Sequence, residues 1–308
     1  MGEQCSGRVA LVTGASKGGT GTAIAVRLAA EGAAVALVAR DAAGLDATAE
    51  RIRAAGGSTI TIPVDLADPD GGRATLVDRV ADELGPVDIL VNNAAANGYR
   101  PFTEWTSRQL EIAQQVNVWA PWRLMADVAP SMIERGEGWI VNLTSFAAEL
   151  PPGPPFPTNL VAQQGAGYGS TKAALNRLTV SVASELHPHG IAVNAVGPQS
   201  AIATPHLLAR GDLDPLLFEP LETMAEAVLL LATCDPATLT GRIGRSLELL
   251  AEVDRPVLGL DGNDLVEGWQ PTDLRGVVAR LSERLAGLGD RRWHRINRNQ
   301  IAAPDNTL

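Results

Sequence analysis

Short apolar runs alternate along this chain with longer stretches in which apolar residues recur at helical spacing. The run Val9-Ala10-Leu11-Val12 is apolar at every position, as a strand buried on both faces must be. A glycine-rich turn follows, then residues 23–31, in which Ile24, Leu28 and Ala29 share a helical face and Gly32 supplies the stop. The same alternation predicts strands at 35–38, 59–64, 87–91, 139–143 and 191–196. Helices are predicted at 45–55, 72–84, 107–135 (one long helix or two) and 167–186. Strict alternation of this kind predicts an α/β fold, a parallel sheet with helices on both faces. The right-handed rule for crossovers makes that sheet doubly wound.

Two stretches break the rhythm. Residues 151–164 carry Pro151, Pro152, Pro154, Pro155 and Pro157, which exclude a regular helix or a central strand, so a long loop leads into the helix at 167. Beyond Pro205 the pattern weakens to a helix at 221–233, a last strand at 246–250 and a helix at 274–288 before a polar tail. No repeat and no second apolar core emerges. One α/β domain is expected over residues 1–264, with a C-terminal helical extension and tail over 265–308.

Composition supports a sizeable core: 45% of the 308 residues are hydrophobic and 19% are charged. The formal net charge of −10 repels phosphate backbones and anionic lipid, so neither nucleic acid nor a membrane is an expected partner. Arg291, Arg292, Arg295 and Arg298 cluster near the C-terminus, where a solvated or packed tail helix is the expected role. Cys5, in what reads as a frayed terminus, and Cys234 are too far apart to suggest a disulfide. The four histidines, His187, His189, His206 and His294, do not have metal-ligand spacing. No basic-then-apolar leader occurs, and no stretch nears the roughly 20 apolar residues of a membrane span. The expected location is cytoplasmic.

Candidate chemistry begins at the first turn. Thr13-Gly14-Ala15-Ser16-Lys17-Gly18-Gly19-Thr20-Gly21 lies between a strand and a helix. In that context glycines let the backbone approach a pyrophosphate at the positive helix N-terminus, the Rossmann-type arrangement. Gly14, Ser16, Lys17, Gly19 and Gly21 are the candidate cofactor contacts. The second strand ends in Arg40, where a carboxylate would select a ribose hydroxyl. A guanidinium there suits a 2′-phosphate, and Lys17 adds charge, so NADP(H) is favoured over NAD(H). Asp41 could instead meet a ribose hydroxyl, and Arg40 could simply pair with Asp41 or Asp46.

Tyr168 and Lys172, four apart at a predicted helix start, share a face. A nearby ammonium would stabilise a phenolate and lower the tyrosine's pKa, fitting the pair for proton transfer to or from a substrate oxygen. Around them, Thr13-Gly14, Asp65-Leu66, Asn92-Asn93-Ala94, Asn117, Ser145, Tyr168-Gly-Ser-Thr-Lys172 and Asn194-Ala-Val-Gly-Pro198 follow in order. This series, from about Gly7 to Gly241, resembles the short-chain dehydrogenase/reductase family, nearest a hydroxysteroid dehydrogenase-like subgroup.

The resemblance implies roles. Tyr168 would be the general acid–base, Lys172 the ribose ligand that tunes it, and Ser145 the holder of the substrate oxygen. Asn117 would hold a helix kink and an ordered water in a proton relay. Asp65 and Leu66 would flank the adenine, Asn92 and Ala94 would line the cofactor cleft, and Pro198, Ile202 and Thr204 would meet the cofactor's nicotinamide end. An oxidoreductase acting between carbonyl and alcohol on a small substrate is implied, as a homodimer or homotetramer. The alternative is a catalytically silent NADP(H)-binding regulator on the same fold.

Departures from the family pattern are concrete. Thr20 stands where its last turn glycine falls, so Gly14, Gly19 and Gly21 fit with one residue inserted. Ala95 and Gln199 replace usual glycines, Thr204 lies one residue late, and the proline-rich segment lengthens the path from Ser145 to Tyr168. Thr144 competes with Ser145 for the hydroxyl role. Tyr99, Phe102, Phe146 and Phe156 suggest an apolar substrate pocket, and Trp119 and Trp122 suggest either an interface or core packing.

Overall fold

The computed structural model describes residues 3–157, 164–211 and 213–287. Six strands follow the apolar runs: β1 (Val9–Thr13), β2 (Ala34–Ala39), β3 (Thr59–Pro63), β4 (Ile89–Asn92), β5 (Gly138–Leu143) and β6 (Ile191–Gly197). A two-residue pair, β7 (Ala201–Ile202) and β8 (Phe218–Glu219), stands apart, and β9 (Ile243–Arg245) closes the main sheet. The seven-stranded sheet has the order β3-β2-β1-β4-β5-β6-β9, every pair parallel. The order reverses between β1 and β4, opening a crevice at the carboxyl ends of the strands where ligands of such folds bind.

Both faces of the sheet are covered. On one lie α1 (Thr20–Ala30), α2 (Ala42–Ala54) and later helices. Ile24, Leu28, Leu45 and Ile52 there pack in one apolar cluster with Val12, Val35 and Val141. On the other, α3 (Leu76–Leu84), α5 (Ala120–Arg135) and α6 (Ala166–Leu186) bury Leu76, Val80, Leu124, Val128, Leu175 and Leu178 against Leu11, Val38 and Ile140. The predicted 107–135 helix is α4 (Ser107–Gln114), a π-helical turn (Gln115–Trp119) and α5. Thr106 and Gln109 form a capping box that starts it.

Three expectations change. Residues 246–250 are not a strand but the start of α9 (Ser246–Glu252), and the last strand is the short β9 before it. Cys5 is buried, with its N–H donated to the Glu31 carbonyl at 2.9 Å, so the terminus is packed there, not frayed. Trp119 and Trp122 stand about half exposed with ring centroids 6.2 Å apart, which excludes core packing within this chain. The final described helix, α10 (Pro271–Gly287), buries Leu274, Val277 and Leu281 in the cluster that contains Ile24. The arginine cluster from Arg291 to Arg298 and His294 lie outside the described residues. No helix among the described residues is long and apolar enough to cross a membrane.

The segment after β6 is pinned by one buried carboxyl. Glu219 accepts hydrogen bonds from the Ser200 N–H (3.0 Å), the Thr223 hydroxyl (2.9 Å) and the Ser246 hydroxyl (2.7 Å). Burial raises its pKa from 4.5 to about 7 against the lowering effect of those donors. The native carboxyl therefore keeps its proton to a higher pH than the unfolded one. Its contribution to stability is present below pH 4.5 and lost as the pH rises to about 7. Melting curves of wild type and Glu219→Gln should show the wild type losing a few degrees relative to the variant between about pH 5 and pH 8. Parallel pH dependences would contradict this account of Glu219.

Candidate active site

The residues singled out from the sequence lie after the carboxyl ends of the strands. After β1, Gly14 takes a positive φ of 74°, and α1 begins at Thr20 with Gly19 as its N-cap. A Cβ on Gly21 would stand 2.3 Å from the Gly14 carbonyl oxygen, so only glycine lets the helix start against the turn. Asn93 locks the turn from β4: its side-chain amide donates to the carbonyls of Thr13 (2.7 Å) and Gly14 (3.2 Å). The Thr13 hydroxyl in return accepts the N–H groups of Asn93 and Ala94. Gly19 caps without a side-chain hydrogen bond, leaving first-turn N–H groups to an incoming anion. Thr204, the N-cap of α7 (Pro205–Arg210), packs over this turn: a Cβ on Gly19 would lie 3.5 Å from its methyl group. Ile202 is buried behind it and Pro198 is half-buried.

After β2, Arg40 is exposed and makes no ion pair among the described residues, as is Lys17 in the glycine turn. The carboxylates offered as alternative partners are otherwise engaged. Asp41 caps α2 by accepting the Gly44 N–H at 3.1 Å, and Asp46 accepts the Thr61 hydroxyl. Asp65 accepts the Ala67 N–H, Leu66 is buried, and Asn92 donates to Asn142 at 2.9 Å with its own carbonyl oxygen unpartnered.

Across the crevice, α6 brings Tyr168 and Lys172 to the end of β5. The approach depends on Gly169, where a Cβ would stand 2.3 Å from the Ala147 carbonyl oxygen. This closeness sets Tyr168 beside Ser145, whose hydroxyl also accepts the Ala147 N–H at 3.2 Å. Ser145 acts to lower the pKa of both Tyr168 and Tyr99, and the Tyr99 ring meets the Tyr168 ring edge-on with centroids 5.8 Å apart. The Thr144 hydroxyl is buried without a partner, which leaves the position beside Tyr168 to Ser145.

Burial pushes the Tyr168 phenol well above its ordinary pKa, Tyr99 adds to that rise and Ser145 opposes it. The expected lowering by Lys172 is not met by the chain alone. The ammonium sits 5.9 Å from the Tyr168 ring centroid and donates instead to the Leu143 carbonyl at 2.7 Å. Lys172 is buried and its own pKa falls from 10.5 to about 8 by desolvation. A buried cation costs stability, so Lys172→Met should raise the unfolding free energy by about 1 kcal/mol at pH 7 while removing activity. A lower denaturation midpoint for that variant would count against the desolvation argument.

Asn117 is buried in the π-helical turn. Its amide donates to the Ala96 carbonyl (2.8 Å) and the Thr171 hydroxyl (2.9 Å), and its carbonyl accepts the Ala96 N–H (2.8 Å). It thus ties the loop after β4 to the helix of Tyr168, whose own carbonyl accepts the Thr171 hydroxyl. Of the aromatic pocket candidates, Tyr99 and Phe146 are half-buried near Ser145, whereas Phe102 and Phe156 are exposed. The sequence reading missed three contributors: Asn93 as the turn's lock, Thr171 as the link from Asn117 to Tyr168, and Tyr99 as the ring set edge-on against Tyr168. Each acts through a contact more than 40 residues away in the chain, a distance at which spacing carries no signal.

A family model described as short chain dehydrogenase matches residues 8–210. The chain is 35% identical over 273 residues to the short-chain reductase protein NovJ of Streptomyces niveus, covering 85% of this chain and 94% of that one. It is 37% identical over 200 residues to a short chain dehydrogenase of Pseudocercospora fijiensis, covering 64% of this chain and 60% of that longer one. Among solved structures, a metagenomic short-chain oxidoreductase in complex with NADP superposes with a TM-score of 0.65 at 34% identity, covering 79% of this chain and 98% of that one.

Proposed function

Because this chain belongs to the short-chain dehydrogenase family, we propose that it is an NADP(H)-dependent oxidoreductase interconverting a carbonyl and an alcohol on a small, hydrophobic substrate, with Tyr168 as general acid–base. The observation that carries this reading is the convergence of Tyr168, Ser145 and buried Lys172 at the end of β5, facing the glycine turn across the crevice. A silent regulator on the same fold would have no need to bury an ammonium at a cost to stability.

The residues present suit the cofactor. The glycine positions leave a cradle that side chains would fill, and the open first turn of α1 suits a pyrophosphate. Arg40 and Lys17, both exposed and without carboxylate partners among the described residues, suit the 2′-phosphate. Lys172 has donors beyond the one spent on Leu143, which ribose hydroxyls would satisfy. Asp65 and Leu66 would flank the adenine, Asn92 and Ala94 would line the cleft, and Pro198, Ile202 and Thr204 would border the nicotinamide. Bound NADPH supplies a hydride to the carbonyl carbon.

The chain's residues do the rest. Ser145 donates a hydrogen bond to the carbonyl oxygen and fixes it beside the phenol. Tyr168 gives that oxygen its proton, so that hydride and proton together make the alcohol. Lys172, one turn along α6, would hold the ribose of the cofactor beside Tyr168. Asn117 holds the π-helical turn that sets the back wall, in position for the ordered water of a proton relay. In oxidation each transfer reverses. Trp119 and Trp122, exposed side by side, are the proposed anchors of a homodimer or homotetramer.

A screen of apolar ketones and alcohols, read by the absorbance of the reduced nicotinamide, tests the reaction class. No turnover with any member would sink it. Arg40→Ser should weaken NADPH binding roughly 10- to 100-fold through the lost charge-assisted contact and leave NADH binding unchanged. Fluorescence titration with the two nucleotides reads this directly, and equal losses for both would remove Arg40 from cofactor choice.

A further inference from the structure

Arg100 follows Tyr99 in the loop after β4, and its guanidinium lies over the Trp105 ring, 5.0 Å from the centroid. The pair is pressed against the start of α6. The Arg100 N–H donates to the Gln164 carbonyl at 3.1 Å, and a Cβ on Gly167, the residue before Tyr168, would overlap the Trp105 ring. Gly98 crowds the pair from the other side: a Cβ there would lie 3.3 Å from the Trp105 ring and 3.6 Å from Arg100 Nη2. Two donors of this pair, Arg100 Nε–H and Trp105 Nε1–H, are buried and have no hydrogen-bond partner. Buried donors are almost always satisfied, so two in one stacked pair call for a common acceptor. Both residues are only half-buried, so the pair can be reached from solvent.

The chain's own carboxylates do not supply that acceptor. Arg100 makes no ion pair among the described residues, although Glu104 is four residues away and exposed. Glu149, just beyond the Ser145 turn, is taken by Arg245, and Asp214 by Arg284. A second cation acts here: burial raises the pKa of Tyr99, whereas Ser145 and the charge of Arg210 in α7 lower it. The surroundings of the two tyrosines are thus locally cationic in a chain of net charge −10. We propose that the Arg100–Trp105 pair is the docking point for an oxyanion, a carboxylate or a phosphate, carried by the substrate at the end away from its carbonyl. This rests on the reading of Tyr168 given above and deepens it: the substrate keeps an apolar body and adds one anionic end. A guanidinium stacked on an aromatic ring is held in one plane, ready for a two-point grip on an oxyanion, and the indole N–H adds a third donor.

Three aryl methyl ketones test this: para-acetylbenzoate, para-acetylphenyl phosphate, and the neutral methyl ester of the first. With NADPH, kcat/KM for at least one anionic ketone should exceed that for the ester by about tenfold, and which anion leads tells carboxylate from phosphate. Arg100→Gln should remove that preference, lowering kcat/KM for the anion roughly 10- to 100-fold through KM and leaving the ester within about twofold. Trp105→Phe keeps a ring under the guanidinium and loses only the N–H, so it should cost the anion several-fold and spare the ester. A role confined to holding the start of α6 would lower all three alike. Equal losses, or a wild type with no preference for an anion, would overturn the proposal.

A second arm needs no turnover. By calorimetry, Tyr168→Phe protein saturated with NADPH should bind the preferred anionic ketone more tightly than the ester. That gap should narrow at raised salt and close when Arg100→Gln is added. Equal binding of charged and neutral ketones, or no binding of any, would overturn the docking site. The two failures are distinguishable. Turnover of the ester without a charge preference defeats only the Arg100 site, whereas charge-selective binding with no turnover of any ketone defeats the reading of Tyr168.

Discussion

Tyr168→Phe is expected to lower kcat by roughly a thousandfold while NADPH binding stays within about twofold of wild type. The ring that fills the space between Tyr99 and the start of α6 remains, so the cavity keeps its shape. What is lost is the hydroxyl proposed to exchange a proton with an oxygen held by Ser145. Lys172 is not expected to substitute, since α6 holds its ammonium one turn further on, 5.9 Å from the Tyr168 ring centroid. Single-turnover reduction with saturating NADPH separates this loss from any change in binding. Retention of more than about a tenth of wild-type kcat would mean the proton comes from elsewhere.

The second large effect concerns stability, far from the crevice. Arg27 on α1 is buried between two carboxylates, pairing with Glu31 at 2.6 Å and with Glu226 at 2.6 Å. Glu226, on α8 (Leu221–Ala232), also holds Arg255 at 2.9 Å. Glu226→Ala strips one partner from a guanidinium that has no solvent to turn to. The expected loss is about 3–5 kcal/mol of unfolding free energy, against roughly 0–1 kcal/mol for a surface pair such as Arg79 with Glu83. Replacing the whole buried cluster, Arg27→Met with Glu31→Gln and Glu226→Leu, should recover most of the loss, because no fully buried charge is left unpaired. Denaturant midpoints of the three proteins test this, and a single variant as stable as wild type would refute it.

The contrast between these regions explains what the sequence could and could not reveal. Strands β1, β2, β4, β5 and β6 were legible because both faces are buried, so each is mostly apolar, whereas β3, at the sheet edge, alternates threonine and isoleucine. The glycine turn, Asn117, Ser145 and the Tyr168–Lys172 spacing were legible as an ordered series. Residues 246–250 misled because a short apolar run fits a buried helix as well as a strand. Leu247, Leu249 and Leu250 are all buried in α9. The true edge strand, Ile243-Gly-Arg245, is too short and too exposed to announce itself. Arg27 and Glu226 lie 199 residues apart, and Asn117 and Thr171 lie 54 apart. Only the folded chain makes such pairs neighbours. The lowered Tyr168 pKa expected from the helix spacing failed for a related reason: spacing gives proximity, whereas burial decides the sign.

The buried Lys172 has one further consequence. Selection for a robust fold alone would discard it, since a methionine would fill the same place without desolvating a charge. Its presence fits a trade-off between durability and catalysis, in which a destabilising group persists at the proposed reaction centre because activity needs it. A more heat-resistant version of this protein would have to gain its margin elsewhere, in loops and on the surface, and leave that lysine alone.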